Sequence, residues 1–292
     1  MESPGGKLRE LMREDGILVQ PNVFDALTAR VAESVGFKSI SLGGFQIAAH
    51  LMGDSEPLLS LEDVATAVRY ASAAVSIPIM VDAGAGWGEP LHVMRTVRVL
   101  EGAGAAGIKI EDQIFPKRAH YHKGIEHLIP FDAMIAKIRA AVRARRDPDL
   151  VLVARTDAFR TDGYEEAIRR CLAFVEAGAD VAYIFPNNED EARRAPQDLK
   201  GIPLVFCNSE GDRRERPIFT APQLEELGYK FAAFPLATTN AAVAAIRDVL
   251  GQLRDNGFVK VDQAERIATR QFIEDTIGLA EAYALEEATV EQ

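Results

Sequence analysis

A chain of 292 residues that is 48% hydrophobic and 26% charged can bury a full core, and one α/β barrel would use most of that length. The formal net charge of −11 argues against a nucleic-acid partner or an anionic membrane surface, since either favours a basic patch. Two widely separated cysteines, Cys171 and Cys207, exclude a disulfide framework and a paired-cysteine zinc site, and they fit a reducing, cytoplasmic setting.

The start, Met1-Glu-Ser-Pro-Gly-Gly, has no basic stretch followed by an apolar core, and no apolar run is long enough for a membrane span, so neither a targeting nor a spanning segment is expected. After an amphipathic Lys7 to Glu14, the pattern predicts a strand over Ile17 to Gln20. A helix follows from Asp25 to Val35, with Ala26, Leu27, Val31 and Val35 on one face. Ser39 to Leu42 reads as a second strand ending in Gly43-Gly44, Leu51 to Pro57 as a loop, and Leu61 to Ala74 as a helix. Ile79 to Asp82 and Gly107 to Glu111 are short apolar runs that each end in a carboxylate, with a helix over Leu91 to Gly102 between them. This is β-α-β grammar. In parallel α/β folds the carboxyl ends of the strands carry the chemistry, so Asp82 and Glu111 are expected in one cleft.

The stretch from Asp112 to Pro130 shows little periodicity and is long for a barrel connection, which suggests a functional lid. Helix resumes over Phe131 to Arg145. A fifth strand from Leu150 to Arg155 continues into Thr156-Asp157, and its helix, Tyr164 to Ala177, is closed by Gly178. Strands over Val181 to Phe185, Leu204 to Cys207 and Lys230 to Phe234 alternate with helices near Asp190 to Ala195 and over Ala221 to Leu227. Helix from Thr238 to Arg254 completes eight strand-then-helix units. The fold expected is therefore one (β/α)8 domain over residues 1–292, with a helical extension over 256–292 that includes Asp262 to Glu287 and is suited to packing on another subunit.

Carboxylates at adjacent strand ends, with Arg155 and Asp157 ending the next strand, suit a hard divalent cation plus a substrate carboxylate. Magnesium takes oxygen ligands and keeps several waters, and arginine grips a carboxylate with a planar fork. The bland alternative is a set of rim ion pairs. Gly84-Ala-Gly86-Trp-Gly88 lacks the full dinucleotide fingerprint and is not followed by the lysine of a P-loop, so a tight turn beside the metal is the better reading. His50, His92, His120, His122 and His127 show no metalloprotease spacing.

Several runs resemble the isocitrate lyase and phosphoenolpyruvate mutase superfamily. They are Pro21-Asn-Val-Phe-Asp25-Ala26-Leu-Thr-Ala29-Arg30, Val93-Met-Arg95-Thr-Val, Gly104 to Gln113, Phe115-Pro116-Lys117-Arg118, Ala154 to Ala158 and Asn208-Ser-Glu210-Gly211. The resemblance implies a (β/α)8 barrel, usually a homotetramer exchanging a C-terminal helix, that binds Mg2+ (or Mn2+) and a small 2-oxo or 2-hydroxy carboxylate. Members break or rearrange a C–C or P–C bond through a pyruvate-like enolate. Carried over by position, Asp82 resembles the direct metal ligand and Glu111 a ligand or a neighbour acting through water. Arg155 resembles the carboxylate clamp. Ser41, Gly43 and Gly44 stand where the substrate's other end is held, and Asn208 and Glu210 resemble substrate-binding residues of the lyases.

The sequence also departs from the family pattern. Gly84 stands where a second aspartate is common. The lid reads Lys117-Arg118-Ala119-His120-Tyr121 without the lyases' catalytic cysteine, leaving Tyr121 and His122 as candidate proton donors. Phe185 replaces a strand-end glutamate, and the aspartate of the second loop has two counterparts, Asp54 and Glu56. The function expected is a Mg2+-dependent C–C lyase or decarboxylase. The alternatives are P–C bond chemistry on a phosphonopyruvate-like substrate and a barrel that binds a metabolite without turnover.

Overall fold

The computed structural model describes residues 2–211 and 216–290. Eight parallel strands close a barrel in sequence order: β1 (Leu18–Val23), β2 (Ile40–Leu42), β3 (Ile79–Asp82), β4 (Gly107–Glu111), β5 (Val151–Arg155), β6 (Val181–Ile184), β7 (Leu204–Cys207) and β8 (Phe231–Phe234). The expected (β/α)8 architecture is present, and β3, β4 and β7 have the bounds read from the sequence. β1 runs on through Pro21 to Val23, because Pro21 pairs in register with Phe234, and Asn22 and Val23 pair with Ser41 and Leu42.

Side chains alternate across each strand, and this period of two sorts the apolar residues into separate layers. On β4 and β5, Ile108, Ile110, Leu152 and Ala154 face the helices and pack in the outer core. Val151 and Val153 face inward with Met80, Val181, Val205 and Phe231, filling the barrel itself. Each fully buried side chain of this size contributes roughly 1.5–3 kcal/mol. The first helix, Pro4–Arg13, plugs the amino-terminal end of the barrel with Leu8, which is fully buried. It approaches so closely that a Cβ on Gly5 would lie 2.6 Å from the backbone of Asp149.

Toward the carboxyl ends of the strands the inward positions become polar: Asn22, Ser41, Asp82, Lys109, Glu111 and Arg155. The apolar filling stops below them, and the site begins there.

Some local features were not read from the sequence, among them the helical turn Ala158–Thr161 after β5. A helix, Gly44–Leu51, starts directly after β2, and short 3-10 turns occupy Glu56–Leu58 and Ala119–Lys123. Their length gives little periodicity to detect. The C-terminal extension is two helices, Gln263–Thr276 and Leu279–Thr289, separated at Gly278, whose φ of +77° interrupts the helical path.

Candidate active site

Strand register assembles the site. Asp82 pairs with Lys109 across β3 and β4, Glu111 with Arg155 across β4 and β5, and Arg155 with Tyr183 across β5 and β6. These side chains face the barrel axis below a cavity of about 530 Å³. Asp82, Lys109, Arg155, Gly43, Gly44, Tyr121 and His122 all line it.

Arg155 is buried and already engaged. Its Nη1 lies 3.2 Å from Glu111 Oε2, and its Nη2 donates to Asp157 at 3.0 Å and to the Tyr121 hydroxyl at 3.1 Å. Among the described residues Nε has no hydrogen-bond partner, which leaves a donor for a ligand carboxylate. Asp157 also accepts from Gln113 Nε2 at 2.6 Å. Burial alone would raise the Asp157 carboxyl, but Arg155, Arg160 and these hydrogen bonds hold it below the ordinary aspartate value.

Glu111 behaves differently. Burial, reinforced by Asp157 and Asp82, pushes its carboxyl up to about 7 against the pull of Lys117 and Arg155. Lys117 Nζ lies 3.0 Å from Oε1, yet among the described residues neither carboxylate oxygen has a hydrogen bond of good geometry. Asp82 is also desolvated, but Lys109, Arg155, Lys117 and the Gly84 N–H, which donates to Oδ1 at 2.9 Å, depress its pKa.

Two oxygen donors lacking hydrogen bonds, on Glu111, beside an ionised Asp82 suit a hard cation such as Mg2+. Among the described residues no group of three or more His, Cys, Asp or Glu side chains gathers as a metal cage. An ion that keeps waters and takes substrate oxygens needs only one or two carboxylates, so these residues fit it. Gly84, with φ +49°, braces both: its carbonyl accepts from Glu111 N at 2.9 Å while its N–H holds Asp82.

The segment after β4 crosses the cavity mouth. Lys117 reaches Glu56 at 2.8 Å and lies 4.0 Å over the Tyr121 ring. Burial keeps the Tyr121 phenol protonated, with Arg155 and Lys117 opposing, while burial lowers the His122 pKa. Below the rim, Asp112 accepts from Thr156 Oγ1 at 2.6 Å and Arg170 Nη1 at 3.1 Å; burial and Asp157 still raise its carboxyl to about 6.

Some expected residues have other surroundings. Ser41 is buried and accepts from Lys109 Nζ at 2.7 Å. Asn208 is fully buried with both ends of its amide bound to the Phe219 backbone, at 2.9 and 3.0 Å, so it shapes the loop after β7 and does not line the cavity. Glu210 is exposed and outside the lining, although its neighbours Ser209 and Gly211 belong to it. Of the two second-loop carboxylates, Glu56 faces the cavity, whereas Asp54 is exposed and caps the Ser55 N–H at 2.7 Å. Phe185 stacks on Tyr183 with ring centroids 5.0 Å apart and lies 4.3, 4.8 and 4.9 Å from the guanidiniums of Arg155, Arg160 and Arg216. Lys109 was missed in the sequence, yet its place two residues before Glu111 puts it on the same inward face.

A family model described as phosphoenolpyruvate phosphomutase matches residues 8–254. The chain belongs to this family. Among relatives of the family, it is 39% identical over 281 residues to a 2-methylisocitrate lyase of Aeropyrum pernix, covering 95% of this chain and 88% of that one. It is 36% identical to a 2,3-dimethylmalate lyase of Eubacterium barkeri, covering 86% of each. A solved family structure, phosphonopyruvate hydrolase in complex with oxalate and Mg2+, superposes with a TM-score of 0.85 at 27% identity, covering 99% of this chain and 100% of that one. The superfamily resemblance read from the motifs therefore holds, and the phosphomutase family barrel is that of an enzyme.

Proposed function

We propose that the chain is a Mg2+-dependent lyase or decarboxylase, able to use Mn2+, that cleaves a C–C bond of a small 2-oxo or 2-hydroxy dicarboxylate through a pyruvate-like enolate. The observation that carries this reading is the placement of Asp82 and Arg155 in the cavity lining with Glu111 on the strand between them. The names of the two lyase relatives support the same class of substrate.

Asp82 and Glu111 would hold the metal, which supplies Lewis-acid stabilisation of negative charge on a substrate oxygen. Arg155 fixes a carboxylate through the donor that its protein partners leave open. Gly43 and Gly44 bring backbone to the cavity wall; a Cβ at Gly43 would displace the side-chain amides of Gln46 and Asn22, which share that wall. Ser41 holds Lys109 in place, and Asn208 holds the loop whose Glu210 stands at the outer edge.

The segment from Pro116 to Gly124 acts as a lid that excludes water and delivers a proton to the enolate carbon. Tyr121 is the first candidate, because its phenol stays protonated and Arg155 donates to its oxygen, leaving the phenolic hydrogen available; His122 is the second.

The exposed apolar residues of the C-terminal helices, among them Ile246, Leu250, Phe272 and Leu285, support assembly into a homotetramer. Two unpaired thiols fit a cytoplasmic setting.

The reading is tested by incubating the protein and Mg2+ with oxaloacetate, dimethylmalate, methylisocitrate and phosphonopyruvate and following products by NMR. Cleavage of a C–C bond in one of the first three supports it. Inorganic phosphate release from phosphonopyruvate alone would replace it with P–C chemistry, and no turnover of any would favour a binding barrel.

A further inference from the structure

We infer that Lys109, held in place by Ser41, forms an anion subsite on the cavity floor that takes a second carboxylate of the substrate, while Arg155 takes the first. This rests on the reading above for the chemical class of the ligand. Lys109 is only 4% exposed, and it lines the cavity. An ammonium carries three N–H donors and no acceptor. Among the described residues its one hydrogen bond goes to Ser41 Oγ at 2.7 Å, and no carboxylate lies within 4.0 Å of Nζ. The Tyr183 ring, 5.6 Å away, offers weak compensation.

Lys117 shows the contrast. It is also buried, but Glu56 and Glu111 bracket it at 2.8 and 3.0 Å. Arg155 likewise has Glu111 and Asp157. Lys109 alone of these three lacks a paired carboxylate, although Asp82, Arg155 and Cys207 are the charged or ionisable groups that face it. The Asp82 carboxylate is its register neighbour on β3 but is turned to the Gly84 N–H.

A buried cation without a counter-ion destabilises the empty cavity, and an incoming carboxylate relieves that cost. The two cations also have a usable spacing. Lys109 and Arg155 face inward from adjacent strands with their backbone positions offset by two residues, roughly 6–7 Å measured along the strands, and both line the same cavity. A dianion with carboxylates a few bonds apart can meet both, whereas a monoanion leaves Lys109 bare.

The test pairs a protein charge with a ligand charge. Calorimetric titration of the full chain compares succinate with its monoamide, succinamate, in the wild type, in Lys109→Met and in Lys109→Gln; thermal melting follows each protein without ligand. The wild type should bind succinate about tenfold or more tightly than succinamate, and each variant should lose about tenfold for succinate but less than about threefold for succinamate. Lys109→Met should also melt at a higher temperature than the wild type, because an unpaired buried charge has been removed. Equal losses for both ligands, an unchanged succinate affinity, or no succinate binding by the wild type would overturn the subsite. Should Lys109→Met fail to fold, the Lys109→Gln comparison decides. Neither probe is a substrate for cleavage, so the result stands apart from the outcome of the turnover panel.

Discussion

Arg155 Nη2 donates to the Tyr121 hydroxyl at 3.1 Å, so the segment crossing the cavity mouth is fastened to the residue expected to clamp the substrate. Substrate arriving at Arg155 therefore meets the lid at the same atom group. If the lid supplies the proton, Tyr121→Phe or His122→Ala should lower kcat by on the order of a hundredfold without comparable weakening of substrate binding. The geometry favours Tyr121. Steady-state kinetics with near-normal kcat in both single variants and in the double variant would reject the lid as donor.

Arg155→Lys keeps a positive charge but loses the planar fork that spans Glu111, Asp157 and Tyr121. The expected loss in kcat/KM is about a hundredfold or more, since two charge-assisted hydrogen bonds are disturbed. An unaltered kcat/KM would leave Arg155 as a rim ion pair.

The barrel was legible because its strands are short apolar runs alternating with helical periodicity, and β3 and β4 end in the very carboxylates, Asp82 and Glu111, that the register sets beside the cavity. Arg155 was legible for the same reason. Lys109 was not, because a lone lysine inside an apolar strand gives no motif, although its parity with Glu111 places it inward. Glu56 could be separated from Asp54 only once the turn over Glu56–Leu58 fixed which carboxylate faces Lys117. The side-chain bonds of Asn208 to Phe219 join residues on either side of a loop, a pairing that no periodicity in the sequence encodes.

Asp112 is fully buried and balances Arg170 while accepting from Thr156 and the Asp157 N–H. Asp112→Ala removes the acceptor and leaves a buried guanidinium with Glu166 at 2.9 Å as its remaining carboxylate among the described residues and the Ile129 carbonyl at 3.5 Å. Urea unfolding should show a loss of about 3 kcal/mol, in the range for breaking a buried pair from one side. A loss under about 1 kcal/mol would mean that Glu166 alone suffices for Arg170.

Helices Ala237–Asn256, Gln263–Thr276 and Leu279–Thr289 bury no residue within the chain. Phe272 is 42% exposed and Leu285 63% exposed. Light scattering after gel filtration should give a tetramer for the full chain and a smaller species when residues 257–292 are deleted. A monomeric full chain would contradict assembly through these helices.

Central to the account is a divalent ion held at Asp82, and the most direct measurement is turnover of the preferred substrate after treatment with excess chelator, followed by addition of Mg2+. Wild-type activity should vanish with chelator and return with Mg2+, while Asp82→Ala, folded by circular dichroism and thermal melting, should stay inactive at every Mg2+ concentration. Full wild-type activity in excess chelator would contradict the account.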